Sequence, residues 1–221
     1  MKKHSAWRLA GLLLVLVLVT SCFVGGTFAK YVTSGTGTDT ARVAKFGVTV
    51  TANGSTFAAD YATDDASLAS TISRSVVSSD NSKLVAPGTS GNMTSVTLAG
   101  TPEVAVNVKY EATFTLNDEW KDAEGNFYCP LEIKVGTTTY KGTTYTSAAE
   151  FAAAVETAIE DYSKNYTANN NLATAATTPA VSWSWAFEGD NVKDTYLGNQ
   201  AAAGHAATVS LTVVTTVTQI D

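Results

Sequence analysis

From Glu103 to Leu116 the chain reads EVAVNVKYEATFTL. Val104, Val106, Val108, Tyr110, Ala112, Phe114 and Leu116 share one parity, and Glu103, Ala105, Asn107, Lys109, Glu111, Thr113 and Thr115 share the other. Strand side chains alternate between two faces, so this run has one apolar and one almost wholly polar face. Antiparallel sheets with one wet face give that alternation, whereas strands of parallel sheets, buried on both sides, read as continuous apolar runs. A strand this long is expected to cross the middle of a sheet, with the other strands covering its apolar face.

The remainder of the chain fits a domain able to build that cover. Its 221 residues are 45% apolar and 15% charged, enough for one sizeable core with few surface charges. The net charge is −6. Lys2, Lys3 and Arg8 lie near the N-terminus, where there is no acid; eleven basic against twenty acidic residues leave the rest at −9. An acidic body without a basic patch argues against nucleic acid or an anionic membrane surface as partner.

Residues 1–29 have the three-part form of an export signal. Lys2, Lys3 and Arg8 make a basic region, Leu9 to Val24 an apolar one, and Gly25 to Ala29 a stretch of small residues. Thr27 and Ala29 occupy the −3 and −1 positions for cleavage between Ala29 and Lys30. Two other readings stay open: an uncleaved anchor, since the span between Arg8 and Lys30 is uncharged and long enough for a bilayer, and lipidation at Cys22 within Val19-Thr20-Ser21-Cys22. All three place the body outside the cytoplasm, with membrane contact only through an uncleaved leader.

Gly25-Gly26-Thr27-Phe28-Ala29-Lys30-Tyr31 resembles the G-G-T-[WF]-A-x-[FY] processing site of proteins cut by the dedicated SipW-type signal peptidase. These are chiefly the TasA/camelysin family of Gram-positive biofilm-matrix and cell-surface proteins. Further features come in the family's order: a strand at Ala41 to Thr51, a Leu84-Val85-Ala86-Pro87-Gly88 segment similar to its L-x-P-G turn, and a long closing β-strand. The resemblance implies a jelly-roll β-sandwich that is exported and, in some members, assembles into fibres, with the signal peptidase and copies of itself as partners. One branch has been classed with metallopeptidases, but HExxH is absent here, so that activity is not carried over.

Three parts are expected: a signal peptide over 1–29, a flexible segment over 30–40, and a β-sandwich over 41–221. The segment KYVTSGTGTDT has no apolar periodicity to hold it to its own domain. In the body, Asn53-Gly54 signals a hairpin turn, Phe57 to Ser70 a loop, and Thr71 to Val77 a modest strand. Pro87-Gly88 fits a type I or type II turn with Pro at i+1, Gly being the natural i+2 of type II. Strands are expected next at Met93 to Ala99 and Phe127 to Val135. Ser147-Ala148-Ala149-Glu150 is a capping box, and Phe151, Val155, Ile159 and Tyr162 come after it at helical spacing, giving one amphipathic helix over about Ala148 to Tyr162. Asn165 to Thr178 reads as a loop. Val181, Trp183, Trp185 and Phe187 form the inner face of a strand; Glu188 to Ala206 reads as an acidic loop, and Ala207 to Ile220 as a Thr/Val-rich closing strand. Strands separated by turn signals, with one helix inserted, specify a mostly β fold: a jelly-roll-like two-sheet antiparallel sandwich.

Chemistry is sparse. Beyond the leader the chain has one cysteine, Cys129, and one histidine, His205, too few for an internal disulfide or a structural zinc site. Cys129 is expected to be buried packing. His205 has no nucleophile elbow to serve and is expected to be a solvated loop residue. There is no phosphate-binding loop and no dinucleotide fingerprint. Two acidic loops, with Asp118, Asp122 and Glu124 in one and Glu188, Asp190, Asn191 and Asp194 in the other, carry oxygen ligands of the type calcium takes, without an EF-hand pattern; calcium is a weak candidate and no cofactor is expected. Trp183 and Trp185 offer a sugar-stacking platform, but their alternation with small polar residues assigns them to the core.

The expected function is that of a secreted, non-enzymatic surface or biofilm-matrix subunit that self-assembles, with Tyr31, Val32 and Thr33 as a strand donated to another copy. The alternative is a monomeric adhesin or carbohydrate-binding module at the envelope.

Overall fold

The alternating segment becomes an eleven-residue strand, Val106–Leu116, and its faces are those that the sequence dictates. Val106, Val108, Tyr110 and Phe114 are at most 3% exposed, while Lys109 and Glu111 point to solvent and pair at 2.6 Å. A computed structural model describes residues 42–53 and 57–220. The chain divides into two units, Met1–Val43 and Ala44–Asp221, and every described strand and helix belongs to the second.

Ten strands are described: β1 (Thr49–Asn53), β2 (Asp60–Ala62), β3 (Arg74–Val77), β4 (Ser90–Ala99), β5 (Val106–Leu116), β6 (Leu131–Val135), β7 (Thr138–Lys141), β8 (Lys164–Tyr166), β9 (Val181–Trp185) and β10 (Val209–Gln219). Three helices accompany them: α1 (Ala148–Glu160), α2 (Leu172–Ala175) and α3 (Asn191–Ala202). A five-stranded sheet runs in the order β1-β4-β9-β6-β7, a three-stranded sheet in the order β10-β5-β8, and β2 pairs with β3 alone. Every described strand pairing is antiparallel. The fold is mostly β and sandwich-like, as its turn-separated alternating strands require.

One core joins the two larger sheets. Val106, Val108, Tyr110 and Phe114 of β5 meet Met93, Val96 and Leu98 of β4, Leu131, Ile133 and Val135 of β6, and Val181, Trp183 and Trp185 of β9. The tryptophans are core residues: Trp183 lies against Phe57 and Tyr61, with centroids 5.1 and 6.1 Å away, and Trp185 against Trp120 at 6.1 Å. Phe187 departs from the expected inner face. Strand β9 ends at Trp185, the alternation stops there, and Phe187 is 75% exposed.

Helix α1 begins as its capping box directs: Ser147 Oγ accepts from Glu150 N at 3.2 Å. The reciprocal arm is displaced by one residue, with Glu150 accepting from Thr146 N and Oγ. Phe151, Val155 and Ile159 are fully buried, and Phe151 meets Phe114 edge-on at 5.5 Å. The helix stops at Glu160, so Tyr162 lies just past it and is half-buried. The Pro87-Gly88 turn is also as expected: Thr89 N donates to Ala86 O, and Gly88 has φ +80°, the left-handed conformation of that position in a type II turn.

Several expected boundaries move. The strand placed at Ala41 to Thr51 begins only at Thr49, because Gly47 at φ +38° interrupts the extended chain. β1 pairs with β4, Thr49 opposite Ala99 and Asn53 opposite Ser95, not with the strand next in sequence. The hairpin expected at Asn53-Gly54 falls partly outside the described residues. Strand β2 lies in the segment read as a loop. Asn165 to Thr178, also expected as a loop, holds α2 and most of β8; β8 pairs with β5, and α2 packs against β4. The largest correction is α3, which occupies most of the supposed loop from Glu188 to Ala206. Only Leu197 and Asp194 of α3 are buried, so no apolar stripe announced it. The single expected helix is therefore joined by two more. No helix among the described residues is long and apolar enough to cross a membrane.

Candidate functional site

The three-stranded sheet treats its two sides differently. On one side β5 is paired with β8 only from Val106 to Val108. Beyond that, side chains of α1 and the turn after it take over the strand's outward N–H groups. Ser163 Oγ accepts from Tyr110 N at 2.9 Å, Glu160 Oε1 from Ala112 N at 3.4 Å, and Glu156 Oε1 from Phe114 N at 2.8 Å. The spacing makes this possible: four helical residues rise about 6 Å, close to the ~6.8 Å that two strand residues advance. Carboxylates at i and i+4 thus step alongside alternate strand N–H groups. This edge is closed to another strand.

On the other side lies β10, paired with β5 through eleven residues without a register shift, from Val209 opposite Leu116 to Gln219 opposite Val106. Asn117 N donates to Thr208 O and Ile220 N to Ala105 O. In an antiparallel ladder alternate residues bond to the partner, so even-numbered residues of β10 face β5. Val209, Leu211, Val213, Thr215, Val217 and Gln219 turn their N–H and C=O groups away from it. Among the described residues no strand occupies that side. The side chains of Val209, Leu211, Val213 and Val217 point inward but are only half-buried, leaving an apolar row incompletely covered along the edge. From Val209 to Ile220 there is no charged residue, proline or glycine. Edge strands are commonly protected by such residues or by bulges; β10 has none of them.

Of the sequence-predicted site residues, Ala29, Lys30, Tyr31, Val32 and Thr33 lie outside the described residues. His205 is exposed, with Nδ1 3.5 Å from Glu119 Oε1. Lys121 first, and His205 after it, hold the Glu119 carboxyl below its ordinary value. Cys129 is fully buried and free, and burial pushes its thiol up to about 12. Gly142 packs directly on Cys129; a Cβ there would collide with the Cys129 carbonyl oxygen.

The two acidic loops, separate in sequence, come together. Asp122 is buried, accepting from Asn126 N at 2.9 Å and from Lys193 Nζ at 3.0 Å. Lys193 chiefly, with the Asn126 amide, holds the Asp122 carboxyl below its ordinary value. The Lys193 ammonium also lies 5.1 Å from the Tyr128 ring centroid. Tyr128 donates its hydroxyl to Asp194 Oδ1 at 2.7 Å; burial first, then Asp194, pushes that phenol well above its ordinary range. Asp190 caps α3, accepting from Lys193 N. The carboxylates are marked in the sequence by their clustering, but Lys193 is not, because its place opposite Asp122 depends on α3. Beside this network is a cavity of about 420 Å³. Among the described residues no three His, Cys, Asp or Glu side chains cluster closely enough to hold a metal ion.

The chain matches no protein-family model, no curated protein and no solved structure. Among the described residues, the β10 edge and the cavity beside α3 are the features that bear on function.

Proposed function

We propose that the protein is an exported, non-enzymatic subunit of a cell surface or biofilm matrix, and that it associates with copies of itself by strand addition. The observation that carries this reading is the open edge of β10: long, regular, uncharged and flanked by a half-covered apolar row. An added strand gains main-chain hydrogen bonds at such an edge with little demand on side-chain identity. Within the three-stranded sheet, closure of the opposite edge by Glu156 and Glu160 leaves β10 as the side open to addition. The donor is the segment freed by cleavage between Ala29 and Lys30, with Tyr31, Val32 and Thr33 at its centre. The leader's similarity to the SipW-type processing site supports that assignment and the TasA/camelysin relationship. A donor at one end and an acceptor at β10 make a heterologous contact, which propagates into a filament instead of closing into a dimer. The uncut leader holds the donor at the membrane, so polymerisation waits for export.

The test is electron microscopy of two proteins, one beginning at Lys30 and one at Ala41, both first shown to fold. Fibres from the longer protein alone support the reading; equal fibre formation by both removes the N-terminal segment as donor. A second reading, a monomeric carbohydrate-binding module, draws on a polar groove of about 430 Å³ over the outer face of β4, β9 and β6, floored by Ser90, Gly91, Ser182 and Ser184 and flanked by Glu132 and Lys134. A strictly monomeric mature protein that is retained on polysaccharide favours it.

A further inference from the structure

The cavity beside α3 carries more negative charge than the fold needs. Its lining includes Glu132, Glu188, Asp190 and Asp194, against a single ammonium, Lys193. Lys193 is committed to Asp122, and Glu132 is paired with Lys141 at 2.7 Å. Among the described residues, Glu188, Asp190 and Asp194 have no ion-pair partner around this opening. Asp190 has a structural role as the helix cap, and Asp194 has half of one: its Oδ1 accepts from Tyr128, but its Oδ2 is buried without any hydrogen-bond partner. Asp194 is only 9% exposed, and a buried carboxylate oxygen left unpaired costs stability. The residue next to Oδ2 is Gly189, also in the lining. A Cβ at Gly189 would stand 3.4 Å from Oδ2, an ordinary van der Waals contact, so this glycine borders the oxygen without a side chain laid over it. Apart from Thr143, the rest of the wall is apolar and aromatic: Phe127, Pro130, Trp185 and Ala186.

We propose that this cavity binds an organic ammonium ion on an apolar stem, the chemistry of a lysyl side chain or a short alkyl diamine. The ammonium donates to Asp194 Oδ2 beside Gly189, with Glu188 supplying further charge at the rim, while the stem lies along Phe127 and Trp185. The arrangement selects against a bare divalent metal. Such an ion needs six or more converging oxygens, whereas these carboxylates are spread around the opening and form no three-carboxylate cluster. The volume of about 420 Å³ is that of a site for a small organic molecule. An anionic guest would meet three carboxylates without a counter-ion, and a neutral one would leave Asp194 Oδ2 without charge compensation. This inference is independent of self-assembly.

The test is a titration, followed by NMR, of the ¹⁵N-labelled protein beginning at Ala41, which keeps every described strand and helix and lacks the proposed donor segment. The probes are pentylammonium, 1,5-diaminopentane, the N-acetyl methylamide of lysine, neutral 1-pentanol and calcium chloride. The expected result is saturable shifts at Tyr128, Trp185 and Gly189 with the ammonium probes, and none with pentanol. The diamine and the lysine derivative separate a free-amine ligand from a side chain presented on a peptide. Glu188→Gln, at an exposed position, and Asp194→Asn each weaken binding, the latter about tenfold or more, the low end for a hydrogen bond to a charged group. Gly189→Ala weakens it by laying a methyl group beside Oδ2, and this variant stands in if Asp194→Asn does not fold. Absence of shifts at these residues, equal binding of pentanol and pentylammonium, or a response to calcium alone would each overturn the proposal.

Discussion

Phe114→Ala reads directly whether the faces of β5 are assigned correctly. The ring is 3% exposed, lies edge-on to Phe151 and sits where β5 is held between α1 and β10. Burying a Phe side chain is worth about 1.5–3 kcal/mol in transfer alone. Removing it from a core that cannot collapse fully adds a cavity term, for a total of about 3–5 kcal/mol. Part of that loss is the aromatic pair with Phe151, of order 0.5–1.5 kcal/mol. Lys109→Ala is the control on the opposite face of the same strand. Its ammonium is exposed and its ion pair with Glu111 lies at the surface, so the change stays within about 0.5 kcal/mol. Urea unfolding followed by tryptophan fluorescence measures both. With a slope of about 2 kcal/mol per molar, Phe114→Ala lowers the midpoint by about 1.5–2.5 M while Lys109→Ala barely moves it. Equal shifts from the two substitutions would refute the account of the sheet's faces. Phe187→Ala, at an exposed position, should resemble Lys109→Ala.

Three further outcomes rest on particular contacts. Glu156→Ala leaves the Phe114 N–H without its acceptor and costs about 1–3 kcal/mol, whereas Glu156→Gln, which keeps an acceptor oxygen, costs less in the same urea assay. Cys129, buried with its thiol pushed up to about 12, stays unalkylated by iodoacetamide at pH 8 in the native protein and reacts only after unfolding; stoichiometric native labelling would contradict its placement. The Asp122 carboxyl is held below its ordinary value in the folded state, so its contribution is fully present above the unfolded carboxylate pKa of about 3.9 and is lost as pH falls through the lower folded value. Thermal unfolding should therefore show a decline below about pH 4 that is smaller in Asp122→Asn than in the parent; identical declines would remove this ion pair from the acid response.

How much of the fold was legible depended on whether a residue's role was local. The alternation of β5, the Ser147 cap, the Pro87-Gly88 turn and the Val181-Trp183-Trp185 face each depend on neighbours within a few positions, and all appear in the fold. α3 was not legible because it buries only Leu197 and Asp194 and has a glycine, Gly198, inside it; propensity and periodicity both argue weakly there. Its N-terminal signal is present, since Asp190 caps and Asp194 lies in the first turn, but without an apolar stripe after them these carboxylates look like those of a solvated loop. The Lys193–Asp122 pair and the closure of β5 by Glu156 and Glu160 join residues dozens of positions apart. Only the fold brings them together. The lack of charge along β10 was visible throughout, but it has consequences only because β10 lies at an edge.

That edge is the basis of the functional reading, and Val213→Pro tests it most directly. Val213 turns its N–H away from β5, so proline there removes a donor from the open side without breaking the ladder to β5. The variant is prepared from Lys30 onward, checked for native circular dichroism, and compared with its parent for fibre growth by electron microscopy and light scattering. The account predicts a folded protein that no longer elongates. Fibres that grow from the folded variant as fast as from the parent would contradict strand addition at β10.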